Sequence, residues 1–302
     1  MRDRIDRIET LIHQDVGRGV TALFDASRGG LWNASSALTE TKPRRIGLLT
    51  GFFVPLGDPP AAETDGPAGA ALLALAFSRI GVPCRMLTDT ACAAACRAAL
   101  DGAGVLNVTV DAVAPDAPLD TMVANWRALG IDWMIAVERC GLAADGRPRN
   151  MRGEDVGAHA APLDRMFVAG PWRTIAIGDG GNEVGMGALP AGLIAAHVPF
   201  GATIGCATPA DHLIVAGVSH WGIYALIAAM AVRVPGWRTA LMTCLTPAID
   251  RAILKSLVDH GPAVDGVTLR QTLTIDGLDL AAHRRKLEAV REIVEGPGKS
   301  VD

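Results

Sequence analysis

The sequence predicts an α/β fold: a doubly wound, mostly parallel sheet with helices on both faces and a small C-terminal α+β extension. Three observations carry that prediction. Short apolar, β-branched segments alternate with longer segments of helical periodicity, the pattern of βαβ units. One of them, Thr174-Ile-Ala-Ile-Gly178, stops abruptly at the loop Asp179-Gly-Gly-Asn-Glu183, as a buried strand does at the carboxyl edge of a parallel sheet. Finally, 50% of the 302 residues are hydrophobic, enough to cover both faces of such a sheet.

The elements follow in order. Ile5, Ile8, Leu11, Ile12 and Val16 form one stripe and predict an amphipathic helix over 3–24, which dominates an N-terminal region of 1–30. The core, 45–260, begins with a strand at 45–50 and a helix at 66–80, whose Pro67 suits a first turn. A strand at 84–88, a helix at 91–100, a strand at 105–110, a helix at 119–129 and a strand at 132–138 continue the alternation. The polar, glycine-containing stretch 139–158 is irregular, and a helix near 161–169 leads into the strand at 174–178. Residues 188–210 read as a helix and then a strand-and-turn region. The apolar run 213–232 is long enough to resemble a membrane span, but Gly217, Ser219, His220 and Gly222 favour a buried helix. A helix at 247–260 closes the core. The C-terminal part, 261–302, holds a strand pair at 264–276, a charged helix at 279–295 and a frayed tail at 296–302. No repeat or linker divides the chain, so one large domain is expected.

Composition narrows the function. The net charge of −4, the lack of a Lys/Arg block and the single tyrosine argue against nucleic acid as a partner. The N-terminal Met-Arg-Asp-Arg-Ile-Asp-Arg lacks an apolar core and reads as neither signal nor transit peptide. Six cysteines without a C-x-x-C pair read as reduced, structural thiols, so a cytoplasmic location and no membrane partner are expected. Lysine occurs only at 42, 255, 286 and 299, outside the candidate loops, which speaks against a Schiff base. There is no G-x-S-x-G elbow and no H-E-x-x-H helix.

Four loops at strand ends carry the chemistry. Asp179, Asn182 and Glu183 put oxygen donors on a tight turn that Gly180 and Gly181 permit, a set suited to Mg²⁺ or Mn²⁺. The spacing is not that of a dinucleotide fingerprint, and the carboxylates would repel a pyrophosphate. A helix cap is the structural alternative there, as it is for Thr64 or Asp65. Glu63 and Asp65 precede a helix whose Gly66 and Gly69 leave its N-terminus open. Glu138 ends an apolar strand and needs a counter-charge: a metal, a substrate ammonium, or a salt bridge to Arg149 or Arg152. Arg147, Arg149, Asn150 and Arg152 form a loop able to grip a carboxylate.

Taken in order, these motifs resemble the D-glutamate cyclase family. The matching pieces are Glu63-Thr-Asp-Gly-Pro67, Glu138-Arg139, Ala143-Ala-Asp-Gly146, Asn150, Arg152, Gly178-Asp-Gly-Gly-Asn-Glu183 with Gly185-Met-Gly187, and Ala216-Gly-Val-Ser219 with Trp221-Gly222 and Tyr224-Ala-Leu226. The sequence departs from the family pattern at Pro148, Arg149, His220 and Ile223. The resemblance implies a lyase that closes D-glutamate to 5-oxo-D-proline with loss of water, assisted by a divalent metal, Mn²⁺ or Mg²⁺. On that expectation Asp179, Glu183 and Glu63 are metal ligands, and Glu183, Glu138 and Asp65 are catalytic. Arg152, Asn150, Asn182, Gly180, Gly181 and Ser219 would bind a small acidic amino acid. Homo-oligomerisation is left open. The alternatives are a metal-dependent hydrolase of phosphate or amide substrates and a non-catalytic small-molecule sensor.

Overall fold

A computed structural model of the protein describes residues 1–296. Helices α1 (Arg2–Ile12), α2 (Thr21–Ser27) and α3 (Gly30–Thr41) precede the first strand, β1 (Ile46–Gly51). A small excursion, β2 (Phe53–Val54) and β3 (Ala61–Glu63), leads into α4 (Asp65–Arg79). The alternation then runs β4 (Cys84–Asp89), α5 (Ala93–Gly102), β5 (Thr109–Val113), α6 (Asp120–Ala128), β6 (Trp133–Arg139), α7 (Leu163–Ala169) and β7 (Arg173–Gly178). Short helices α8 (Leu193–His197) and α9 (Gly201–Ile204) precede β8 (His212–Val215) and α10 (Ser219–Arg233). The chain ends with α11 (Arg238–Met242), α12 (Pro247–His260), β9 (Ala263–Val264), the hairpin β10 (Thr274–Ile275) and β11 (Leu278–Asp279), and α13 (Leu280–Glu295).

Among the described residues the main sheet has six strands in the order β5-β4-β1-β6-β7-β8, all parallel. The chain winds outward from β1 through β4 and β5, then returns to β6 on the other side of β1. The expected doubly wound α/β fold is present. Alternate strand residues feed two cores, one on each face. Leu48, Ile135, Val137 and Ile177 pack with α4 and α10, while Leu49, Met134, Ala136 and Ala176 pack with α6 and α7. The crossover reversal leaves a crevice between β1 and β6 at their carboxyl ends, where a doubly wound sheet receives ligands.

Several element boundaries differ from expectation. The N-terminal stripe does not continue to residue 24. The chain leaves the helix after Ile12, where His13 takes φ −78° and ψ 60°, and turns further on at Gly17 and Gly19, both at positive φ (104° and 75°). Asp15 accepts the N–H groups of Gly17, Arg18, Gly19 and Val20 at 2.8–3.2 Å and fixes that turn. The run 213–232 is not one helix. It is β8, a turn at Ala216-Gly-Val218, and α10, buried on all sides. The strand expected at 105–110 lies at Thr109–Val113, and 188–210 holds two short helices. The C-terminal strands are three short pieces, of which β9 pairs with β3 beside the main sheet. Of the tail expected at 296–302, residues 297–302 lie outside the described residues. No helix among the described residues is long and apolar enough to cross a membrane.

Candidate active site

Three strands end in the crevice, and each delivers a carboxylate. After β1 the chain loops through β2 and β3 and enters α4, whose first residue is Asp65. β6 presents Glu138, and β7 presents Asp179 on the loop that follows it. Among the described residues, one ligand oxygen from each of Asp65, Glu138 and Asp179 lies within 4.8 Å of the others, and all three residues are buried. Glu138 and Asp179 line a cavity of about 280 Å³, together with Arg18, Glu63, Asn150, Arg152, Asn182 and Asp276.

The backbone is bent to put Glu138 there. Its φ is +41°, a region that costs a non-glycine residue roughly 1–3 kcal/mol. The ladder between β1 and β6 slips at this point, so Gly51 pairs with Arg139 in place of Glu138. A bulge of this kind re-aims a side chain. Glu138 then accepts a 2.5 Å hydrogen bond from the Ser219 hydroxyl, the first residue of α10. The Ser219 N–H donates to Asp179 Oδ2 at 2.8 Å. Arg139 takes no part in the crevice, since it is buried against Asp89 and the carbonyls of Gly51 and Ala161. Arg149 pairs with Asp145, so neither supplies the counter-charge expected for Glu138.

Asp65 has the most exposed chemistry in an electrostatic sense. It is fully buried, and neither carboxylate oxygen has a hydrogen-bond partner among the described residues. Capping does not account for this pair of residues, because the Thr64 hydroxyl is donated to the Thr274 carbonyl at 3.0 Å. Gly66 is required beside it: a Cβ there would come within 2.6 Å of the Thr50 hydroxyl and 3.0 Å of the Glu138 carbonyl oxygen.

Burial drives the carboxyls of Asp65 and Glu138 well above the usual range, and the surrounding carboxylates add to the shift. Asp179 is raised by burial as well, although Arg18 opposes the shift. Glu63, whose carboxylate sits under the Gly266 backbone, is pushed up to about 8 by burial and by Asp276. A cation would remove this repulsion. The donor set, all carboxylate oxygen, suits a hard divalent ion, and the orphaned Asp65 oxygens are where such an ion fits.

The loop after β7 turns the Glu183 carboxylate onto its own backbone. Gly180 and Gly181 each donate a 2.7 Å hydrogen bond to the Glu183 carboxylate, and the Asp179 N–H approaches it at 3.4 Å. Glu183 therefore folds back to close its own loop, and it stands outside the three-carboxylate group. The N–H groups of Gly180 and Gly181 are turned to Glu183 and are not offered to a ligand. Asn182 lines the cavity but gives its amide to the Arg149 carbonyl at 2.8 Å. Asn150 holds its own turn, accepting from Arg152 and Glu154 N–H groups at 3.0 Å. Arg152 lines the cavity, and among the described residues its guanidinium reaches only the Gly266 carbonyl, at 3.5 Å.

Two cavity residues escaped the sequence reading. Arg18 bridges Asp179 at 3.1 Å and Asp276 at 2.5 Å. Burial opposes its charge, but Asp179, Asp276 and Glu138 outweigh this and hold the guanidinium well above its usual value. A signal existed for each. Gly17-Arg-Gly19 interrupts an apolar stripe, and Asp276-Gly277 is the two-residue turn of a hairpin, both residues at positive φ. The buried cysteines are free thiols that burial pushes up, with Cys96 and Cys206 at about 12, in keeping with a structural role.

Comparison with known sequences decides the family. A family model described as "D-glutamate cyclase-like, C-terminal" matches residues 8–291. The chain belongs to the D-glutamate cyclase-like family. The match takes in all the strand-end loops that build the crevice and runs into α13 as far as residue 291. One relative is the mitochondrial D-glutamate cyclase of Homo sapiens, 28% identical over an alignment 328 positions long. The alignment covers 97% of this chain and 52% of the human protein, so the chain spans about half the length of that relative.

Proposed function

We propose that the chain is a lyase that closes D-glutamate to 5-oxo-D-proline with release of water, in the crevice between β1 and β6. The observation that carries this reading is the buried group Asp65, Glu138 and Asp179 at the switch point of a D-glutamate cyclase-like fold. In the reaction the amine nitrogen bonds to the carbon of the γ-carboxyl group and one C–O bond of that carboxyl breaks. The two protons that the ammonium gives up leave on that oxygen as water.

Asp65, Glu138 and Asp179 would hold a divalent ion, Mn²⁺ or Mg²⁺. Such an ion supplies Lewis-acid charge against a substrate carboxylate. The roles of the acidic residues then differ from those the resemblance implied. Asp65 and Glu138 are ligands, and Glu183 shapes the Asp179 loop. Glu63, which lines the cavity outside the three-carboxylate group, is the acid and base that takes a proton from the amine and returns it to the departing oxygen. Arg152, which lines the cavity and has no carboxylate partner among the described residues, grips the α-carboxylate. Ser219 fixes Glu138 and Asp179 relative to each other through its hydroxyl and its N–H.

The test is direct. Purified protein with Mn²⁺ or Mg²⁺ and D-glutamate is expected to form 5-oxo-D-proline, measured by chiral chromatography. No turnover of either glutamate enantiomer with any divalent ion would refute the reading. Phosphate or amide hydrolysis in excess of cyclisation would move the assignment to a hydrolase.

A further inference from the structure

Arg18 sits inside the acidic crevice without belonging to any strand-end loop of the sheet. One guanidinium nitrogen meets Asp179 Oδ1 at 3.1 Å and the Gly217 carbonyl at 3.0 Å, and the other meets Asp276 Oδ1 at 2.5 Å. It thus ties together the turn after α1, the loop after β7, the turn before α10 and the C-terminal hairpin. The side chain is 16% exposed, and it lines the cavity.

The turn that delivers it is built for the purpose. Four successive N–H groups, those of Gly17, Arg18, Gly19 and Val20, converge on the Asp15 carboxylate. Asp15 itself touches nothing in the crevice among the contacts of the described residues. The arrangement fixes the backbone from which Arg18 reaches inward.

We infer that Arg18 is a built-in counter-cation of the carboxylate group, which holds Asp179 in competition with a divalent ion and so sets how tightly that ion binds. The inference rests on reading Asp65, Glu138 and Asp179 as a cation site. Asp179 has two oxygens. Ser219 N–H holds one, and Arg18 holds the other. An ion sharing Asp179 must therefore displace or share with a fixed positive charge a few ångströms away. Repulsion between like charges at that range lowers affinity substantially even at an effective dielectric of about 20. Arg18 in this role is a positioning residue: it aims Asp179 and makes ion binding weaker and reversible.

The direction of the effect separates this role from a merely structural one. Loss of a structural residue would loosen the site and weaken metal binding. Loss of a competing cation would strengthen it. Chelator-treated wild type, Arg18→Gln and Arg18→Lys are titrated with Mn²⁺ by calorimetry, with thermal melts in parallel. Arg18→Gln is expected to bind Mn²⁺ at least about tenfold more tightly and to show a larger Mn²⁺-induced rise in Tm. Arg18→Lys, which keeps the charge, should stay within about threefold of wild type. If Arg18→Gln does not fold, Asp15→Ala frees the turn from outside the site and should tighten binding severalfold. Equal or weaker Mn²⁺ binding in the folded variant overturns the inference while leaving the cation site intact. A wild type that takes up neither Mn²⁺ nor Mg²⁺ overturns the cation reading, and the role of Arg18 falls with it.

Discussion

Replacing Asp65 by asparagine separates what the crevice needs for stability from what it needs for chemistry. The substitution keeps the shape of the side chain and removes its charge. Ligand oxygens of Glu138 and Asp179 lie within 4.8 Å of one of Asp65. Two unit charges at that distance repel by about 3.5 kcal/mol at an effective dielectric of about 20. Proton uptake lets the group escape part of this, so Asp65→Asn should stabilise the chelator-treated protein by about 1–3 kcal/mol. The pH dependence has a definite sign. The folded-state carboxyl is raised above its unfolded value, so the wild type is penalised increasingly as pH rises above about 4. The advantage of the variant is therefore small at pH 4.5 and larger at pH 8. Urea unfolding in EDTA at the two pH values measures it. With Mn²⁺ the order reverses. The wild type gains about 2.7 kcal/mol at a hundredfold excess over Kd, and the variant gains little. A variant less stable than wild type in EDTA, or one equally stabilised by Mn²⁺, would refute the reasoning.

Other outcomes follow from the same geometry. Glu63→Gln should lower kcat by roughly 100-fold or more while leaving Mn²⁺ affinity within a few-fold, because it removes the acid and base without touching the ligands; steady-state kinetics and calorimetry together check this. Arg152→Gln should raise KM for D-glutamate by at least about tenfold with a smaller change in kcat, as the α-carboxylate loses its charged partner. His13 stacks on Phe24 with ring centroids 4.9 Å apart, and burial, aided by Arg28, lowers its pKa to about 4. The unfolded chain binds that proton from about pH 6.5, so stability is lost as pH falls from 6.5 to 4, by about 1–2 kcal/mol after discounting partial exposure. In His13→Phe that part of the acid dependence should be missing from denaturant titrations.

How much of this was legible in the sequence follows from what each residue needs. Glu138 and Asp179 could be found because a carboxylate at the end of an apolar strand is conspicuous, and Asp65 because it opens a helix that follows such a strand; the switch point of a doubly wound sheet gathers such ends. The distribution of roles among them could not be read. Glu183 and Asp179 look alike in sequence, and only the folded loop shows that one turns back onto Gly180 and Gly181. Glu138 depends on a bulge and a positive φ that no residue pattern announces. The run 213–232 hid a strand and a helix because both are buried on all sides, which erases periodicity. α3 was missed for a related reason: its small and hydroxyl residues, among them Ala34, Ser35 and Ala37, pack against the core without a strong apolar stripe. Arg18 and Asp276 meet across 258 positions of chain (276 less 18), and such a contact is a property of the fold and not of local sequence.

The most direct measurement is an anomalous difference map from a crystal of the wild type soaked in Mn²⁺. One strong peak bounded by Asp65, Glu138 and Asp179 is expected, within about 2.0–2.3 Å of an oxygen from each. It should be lost or much weakened in Asp179→Asn. A wild-type map with no peak among these carboxylates, or with manganese only at surface acids such as Asp25 or Glu40, would contradict the assignment of this crevice as the catalytic centre.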